Sequence, residues 1–344
     1  MSRKHRWAIV GCGVIAPTHA KAIAAIEEAE LVAACDIEAE KAEQLMQKYG
    51  TDKDSWYTDF HEMLKRDDID IVSVCVPSGL HAEVTEAAAK AGKHVFCEKP
   101  LDISKEKMDS MIAVCHEAGV KLGCVFQMRS NPINQKVRQV LQEGKLGRMV
   151  LQDCYVKYNR SAEYYKSAGW RGTWEMDGGG CLMNQGVHGL DLLLWMAGDV
   201  ESVVAQADHL VHDIEVEDTA VAILKFKNGA FGVIEGATSV TPGQKARFEF
   251  LGGAGSILLE DGKVTNWVVP DVPEPDANQE ESSGGHADNR AISDTGHLAL
   301  VRDMCYAVSE DREPYVTGES ARKAVDLILA IYESARTGKR VMLG

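Results

Sequence analysis

Residues 7–16, Trp-Ala-Ile-Val-Gly-Cys-Gly-Val-Ile-Ala, run a short apolar strand into a glycine-rich turn and out into a helix. Few patterns restrict a fold so tightly. Gly11 suits the tight turn, Gly13 lets the backbone approach a pyrophosphate, and Ala16 is small enough to pack the helix on the strand. Val14 and Ile15 lie within the same phosphate-binding turn. The helix that follows carries Ala16, Ala20, Ile23 and Ala24 on one face, with Pro17 in the first turn, where a missing N–H costs little. Its free N–H groups and positive dipole end favour phosphate. The next apolar run, Leu31-Val-Ala-Ala-Cys35, ends in Asp36, 25 residues after Gly11, where an acidic side chain grips ribose hydroxyls. No arginine follows Asp36 directly, and a carboxylate repels a 2′-phosphate, so NAD is favoured over NADP.

The same grammar continues to about residue 127. Strands are expected at 7–10, 31–35, 70–76, 93–97 and 120–126, with helices at 14–28, 38–49, 59–66, 81–91 and 104–118 between them. Gly50, Gly92 and Gly119 stand where helices end, and Ser104 is placed to cap one. Near-continuous apolar strands alternating with helices imply a doubly wound parallel sheet over residues 1–127, a Rossmann-type dinucleotide-binding domain. After Asn131-Pro132, which opens a helix ending near Gly144, the pattern changes. Longer alternating runs at 149–158, 200–212, 218–227, 230–238, 245–251 and 256–269 are joined by hairpin signals, with one helix at about 181–197. Asn228-Gly229 reads as a type I′ turn, and Asp261-Gly262 as a further turn. Residues 128–344 are therefore expected to form an α+β domain on an open, mainly antiparallel sheet that binds substrate and a second subunit. The stretch 270–295 reads as a solvated loop or a lid. Helices at about 296–309 and 318–336 close the chain, the second expected to pack back on the first domain.

A length of 344 residues and 45% apolar content allow two real cores, and the net charge of −15 argues against nucleic acid and anionic membranes as partners. None of the nine cysteines forms a C-x-x-C pair, so reduced buried thiols are expected rather than disulfides or a metal site. The first residues lack the apolar stretch of a signal peptide and no later run is long enough to span a bilayer, so a cytoplasmic enzyme is expected.

The chemistry gathers at the carboxyl ends of the parallel strands, where doubly wound sheets bind ligands. Besides Asp36 these ends carry Val76-Pro77-Ser78-Gly79-Leu80-His81, Glu98-Lys99-Pro100 and Gln127. Pro77 and Ser78 are placed to flank a cofactor ribose. His81 opens a helix and suits either a capping role or a cofactor contact, and Glu98 suits either a ribose hydroxyl or the holding of Lys99. The second domain adds Trp170-Arg171, then Asp177-Gly-Gly-Gly180-Cys-Leu-Met-Asn184-Gln-Gly-Val-His188-Gly-Leu-Asp191. Three glycines entering a helix imply a close approach to the backbone. Asn184 and His188 are four apart and share a helical face, and Asp191 is placed to orient the imidazole. Arg129, Arg160, Tyr164, Tyr165, Trp170 and Arg171 suit a substrate with an apolar sugar face or an anionic group, or else packing at the domain junction.

Gly11-x-Gly13-x-x-Ala16, Asp36, Glu98-Lys99-Pro100 and Gly178-Gly-Gly-x-Leu-x-Asn184-x-Gly-x-His188 together resemble the Gfo/Idh/MocA family of glucose–fructose oxidoreductase and inositol dehydrogenase relatives, over nearly the whole chain. The resemblance implies that Lys99 and His188 are the catalytic pair and that the substrate is a sugar, cyclitol or nucleotide sugar. Many family members carry an aspartate where this chain has Asn184, which moves proton transfer onto Lys99 and His188. It implies hydride transfer between a secondary alcohol carbon and NAD, with a base that takes the hydroxyl proton, and a homodimer or homotetramer. Two other readings fit the same residues: a redox-neutral glycoside-cleaving or sugar-exchange enzyme that retains NAD, and a non-catalytic NAD-binding regulator.

Overall fold

A computed structural model describes residues 4–275 and 294–344. Most of the stretch read as a loop or lid over 270–295 lies outside the described residues. The chain divides into two compact units, Met1–Gln127 with Asp294–Arg322, and Met128–Ser293 with Lys323–Gly344.

In the first unit β1 (His5–Val10), β2 (Ala29–Cys35), β3 (Trp56–Tyr57), β4 (Ile71–Val74), β5 (His94–Cys97) and β6 (Leu122–Cys124) form a sheet in the order β3-β2-β1-β4-β5-β6. Every pairing in it is parallel. The crossovers are α1 (Ala16–Ala24), α2 (Ala39–Tyr49), α3 (Phe60–Leu64), α4 (His81–Lys90) and α5 (Lys105–Ala118). β1 and β4 are buried on both faces apart from the first residues of β1, as a sheet covered by helices requires. Ser104 caps α5 through Lys107 N–H (3.4 Å), and Gly119 ends it in the left-handed region. The strand order reverses between β1 and β4, so the ligand crevice opens where Gly11, Asp36, Val76 and Glu98 leave the sheet. The edge strand β3 escaped the sequence reading because two residues carry no periodicity.

In the second unit α6 (Pro132–Gln142), α7 (Ala162–Lys166) and α8 (Val187–Ala197) accompany eight strands. These are β7 (Met149–Lys157), β8 (Val200–Asp208), β9 (Thr219–Phe226), β10 (Phe231–Ala237), β11 (Arg247–Gly252), β12 (Ser256–Glu260), β13 (Lys263–Val268) and β14 (Val341–Met342). Their order is β13-β12-β11-β7-β10-β9-β8-β14. Among the described strands of this second sheet only β7 and β10 pair in parallel, so the sheet is mainly antiparallel, as expected.

Two turn assignments exchange places. Asn228 has no positive φ, and Gly229 alone (φ 90°) does. Gly229 N–H donates to Phe226 O (2.9 Å) and Phe226 N–H to Ala230 O (2.9 Å), a type I turn followed by a glycine bulge rather than type I′. The two-residue type I′ hairpin is Asp261-Gly262, with φ of 48° and 77°, between the paired Glu260 and Lys263.

The closing helices also divide differently from the expectation. It is α9 (Asp294–Ser309) that packs on α1 of the first unit. α10 (Gly318–Thr337) gives only its first residues to that unit; Ser334 accepts from Ala205 N–H of β8 (3.0 Å) and Tyr332 donates to Glu217 (2.8 Å), which holds the rest in the second.

Candidate active site

The glycine-rich turn fits a dinucleotide. At Gly11 (φ 89°) an added Cβ would meet the Cys75 and Val76 backbone at 2.6–2.7 Å, so β1 and β4 can approach only across a glycine. At Gly13 a Cβ would meet nothing within 4 Å, which leaves the backbone open toward a ligand. Asp36 Oδ2 accepts from Cys12 N–H (2.7 Å) and Oδ1 from Glu38 N–H (2.9 Å), which fixes the carboxylate beside that turn with lone pairs to spare. Val14, within the turn, and Ile37, after Asp36, are 81% and 90% exposed. Ile37 escaped the sequence reading, since a lone isoleucine after a strand has no local signature.

Pro77 is half-buried and Ser78, which starts a tight turn to Leu80, is buried. His81 is buried, with its ring nitrogens facing the carbonyl oxygens of Pro100 (Nδ1, 2.8 Å) and Val76 (Nε2, 3.0 Å). It ties two turns at that edge of the sheet together and does not cap the helix, which corrects the capping reading. Gln127 and Lys99 are half-buried at the ends of their strands.

Glu98 is buried and bonded from three sides. Oε1 accepts from His19 Nε2 (2.8 Å) and His297 Nε2 (3.4 Å), and Oε2 accepts from Lys99 N–H (3.1 Å). Burial alone would raise its pKa, but the two imidazoles hold the carboxyl well below the usual range. Burial in turn lowers the pKa of His19. Of Glu98's two expected roles, the structure displays the holding of Lys99. His19, Glu98 and His297 are also the one set of three metal-ligating residue types brought together among the described residues, a grouping the sequence concealed.

The triple glycine of the second unit has a different cause from the one a ligand would supply. A Cβ at Gly179 would meet Tyr332 Oη at 2.1 Å, and one at Gly180 would meet Glu217 O at 1.9 Å. The close approach is made by the protein itself. Buried Glu217 accepts from Gly180 N–H (Oε2, 2.9 Å), Leu182 N–H (Oε1, 2.9 Å) and Tyr332 Oη (Oε1, 2.8 Å). Burial still pushes its pKa up against these bonds. The chain then makes a wide π-type turn, Cys181–Gly186, before α8, a local geometry frequent at functional sites.

Asn184 leaves that turn with its amide donating to Asp177 Oδ1, and Asp177 Oδ2 accepts from Gly172 N–H (2.8 Å). His188, on α8, is buried. Asp191 does not orient it: both Asp191 oxygens face the buried guanidinium of Arg129, with Nε to Oδ2 at 2.8 Å. That pair gives Arg129 a structural partner within its own unit. Tyr165 is likewise packed, its hydroxyl 2.7 Å from Thr238 Oγ1 and its ring 4.9 Å from that of His212. Tyr164 faces the site's polar groups. Its hydroxyl accepts from Arg171 Nη1 (2.5 Å) and Gln185 Nε2 (2.8 Å), and its ring lies under the guanidinium of Arg171 (4.4 Å), which also covers Trp170 (4.6 Å). Arg160 donates to Gln185 Oε1 (2.7 Å).

A family profile described as an oxidoreductase family with an NAD-binding Rossmann fold matches residues 5–126, and that of the GFO/IDH/MocA C-terminal domain matches residues 134–258. A myo-inositol 2-dehydrogenase of Thermotoga maritima is 31% identical over 277 residues, 77% of this chain and 78% of that one. The chain belongs to the Gfo/Idh/MocA family. This family member also resembles the WlbA dehydrogenase of Bordetella pertussis, solved in complex with NADH and UDP-GlcNAcA, at a TM-score of 0.88 and 34% identity over 99% of both chains. The WlbA dehydrogenase of Chromobacterium violaceum, solved with the same two ligands, gives a TM-score of 0.89 and 33% identity over 100% of this chain and 97% of that one. As a Gfo/Idh/MocA protein the chain is an NAD-dependent oxidoreductase acting on CH–OH groups. No described helix is long and apolar enough to cross a membrane.

Proposed function

We propose that this enzyme oxidises a secondary alcohol of a nucleotide-linked sugar acid, with Lys99 and His188 as its proton-transferring residues. The observation that carries the substrate class is the likeness, over essentially the whole chain, to dehydrogenases solved with UDP-GlcNAcA. Arg171, preorganised between Tyr164 and Trp170, suits the carboxylate or phosphate of such a substrate. Gly11, Gly13, Val14, Ile15, Asp36, Pro77 and Ser78 hold NAD, which supplies the hydride acceptor when bound. Asn184, its amide fixed by Asp177, orients the reacting hydroxyl. Lys99 or His188 takes the hydroxyl proton; an imidazole with an ordinary pKa of about 6.5 suits a base at neutral pH.

A homo-oligomer built on the second sheet accompanies this reading. Val204 pairs with Ile223 and Ile223 with Val233, and Phe231 pairs with Leu151 across the next strands. Ile223 and Phe231 are 60% and 57% exposed in one chain, an apolar patch that a second copy would cover. Nine free buried cysteines fit a cytoplasmic location.

The test is reduced-nicotinamide absorbance with NAD and a panel of UDP-N-acetylglucosaminuronic acid, myo-inositol, free sugar acids and glucosides. Lys99→Ala is run beside the native enzyme. Turnover of the nucleotide sugar acid, lost by roughly a hundredfold or more in the variant, is the expected result. Turnover of myo-inositol or glucosides alone would replace the substrate class, and an active Lys99→Ala would remove Lys99 from the mechanism.

A further inference from the structure

Glu98 stands next to the lysine on which the proposed chemistry depends, and its carboxylate is held by residues from two helices far apart in the chain. His19 lies on α1 and His297 on α9, 199 residues beyond Glu98. All three side chains are buried. We infer that His19 and His297 are positioning residues of the active site, which fix Glu98 as a carboxylate so that its Oε2 holds the Lys99 backbone.

Three observations support this. The division of labour on the carboxylate is complete: Oε1 takes both imidazoles and Oε2 takes Lys99 N–H. His19 is itself anchored, with Nδ1 3.2 Å from Ser73 Oγ on β4, so its ring is oriented from behind. The titratable groups facing Glu98 from the neighbouring strands are Cys75 and Cys97, whose thiols burial pushes well up. They bring no charge to the site, and Cys124 Sγ lies 4.0 Å from the Glu98 carbonyl oxygen. The imidazoles are thus the groups that hold the carboxyl ionised.

The three side chains have the composition of a metal site, but the His19–Glu98 pair is too close for one. His19 Nε2 at 2.8 Å from Oε1 is at the distance of a charge-assisted hydrogen bond, whereas ligands 2.0–2.2 Å from a shared zinc ion at tetrahedral angles stand about 3.3 Å apart; His297 Nε2 is farther off, at 3.4 Å. His297 Nδ1, buried without a hydrogen-bond partner, also lacks the second contact that orients metal-bound imidazoles.

The inference rests on the reading of Lys99 as a catalytic residue, and the experiment separates the two. Native enzyme, His297→Leu, His297→Gln, His19→Gln and Lys99→Ala are compared in three ways. The first is kcat and KM against pH with UDP-N-acetylglucosaminuronic acid. The second is hydrogen exchange of the peptide containing Lys99, which needs no substrate. The third is the metal content of the purified native protein. In His297→Leu, kcat falls up to about tenfold with little change in KM, as loss of one long hydrogen bond to a buried carboxylate implies. The acid limb of its kcat profile moves to higher pH, and the Lys99 amide exchanges faster while peptides of β1 stay protected. His297→Gln, whose amide still donates to Oε1, restores all three towards native values.

Native exchange and a native pH profile in His297→Leu would overturn the inference, and so would failure of His297→Gln to rescue a folded protein. Stoichiometric metal whose removal abolishes activity would overturn it in favour of a metal site. Faster exchange at β1 in every variant would reduce the cluster to a packing role and overturn it as well. A fully active Lys99→Ala would instead refute the reading of Lys99, while the exchange result would still show whether the histidines hold that backbone.

Discussion

Glu98 and Glu217 are both buried carboxylic acids that each hold a turn of their own unit from behind, yet their environments drive them in opposite directions. Glu98 receives two imidazole N–H groups and one backbone N–H, and its carboxyl is held well below the usual range. Glu217 receives two backbone N–H groups and a tyrosine hydroxyl, and burial wins, so its carboxyl is pushed up. The number of hydrogen bonds is the same; the donors differ. The two imidazole N–H groups outweigh burial at Glu98, whereas the phenol and two peptide N–H groups do not outweigh it at Glu217. A first-unit turn next to the proposed catalytic lysine has thus kept a buried negative charge, and a second-unit turn has a carboxyl that serves as an acceptor scaffold.

The comparison breaks most visibly in the paired substitutions to glutamine. Glu98→Gln replaces an acceptor oxygen with an NH2 that must face either an imidazole N–H or the Lys99 N–H. A kcat loss of about tenfold to a hundredfold is expected from the charge-assisted bonds forfeited. Steady-state kinetics beside an unchanged NADH affinity checks it. Next in size is Gly180→Ala. Its Cβ would fall 1.9 Å from Glu217 O, and backbone cannot yield as a flexible side chain does. A stability loss of about 1–3 kcal/mol is expected, read from urea unfolding, with cofactor affinity in the folded protein unaffected. Glu217→Gln follows at about 1 kcal/mol, since it loses one neutral acceptor contact and no needed charge. An effect on kcat larger than that of Glu98→Gln would reverse the assignment of roles.

The contrast also explains what the sequence displayed and what it hid. Gly11, Asp36 and Glu98-Lys99-Pro100 were legible because a doubly wound sheet delivers the ends of successive strands to one edge. Order along the chain there becomes proximity in space. The triple glycine was legible as a close approach, but not its partner; Glu217 and Tyr332 come from distant segments with no periodic signal. His297 was hidden for the same reason, as was the Arg129–Asp191 pair, which only tertiary packing brings together. His188 falls on the expected helix, whereas Asn184, read as sharing its helical face, lies in the π-type turn between the glycines and α8, which has no spacing of its own to read. The hairpins show the limit of turn chemistry: Asn-Gly and Asp-Gly have equal claims to type I′, and the flanking register decides.

The smallest effect is a matter of sign in acid. His19 has an imidazole pKa lowered by burial from 6.5, so the unfolded chain takes up a proton first as pH falls below 6.5, and stability declines. Glu98, depressed well below 4.5, contributes stability that persists above 4.5 and is lost only as pH falls through its folded value. Glu217 acts in reverse. Its folded pKa is raised above 4.5, so the folded chain takes up the proton first, and stability is gained as pH falls from that raised value toward 4.5. Between pH 6.5 and 4.5 the native protein therefore carries two opposed contributions. Removing the gain with Glu217→Gln should steepen the acid loss of unfolding midpoint, and removing the loss with His19→Gln should flatten it. Measured as differences from the native protein at each pH, the two variants should diverge to opposite sides. Deviation to the same side would mean that His19 and Glu217 do not shift in opposite senses on folding.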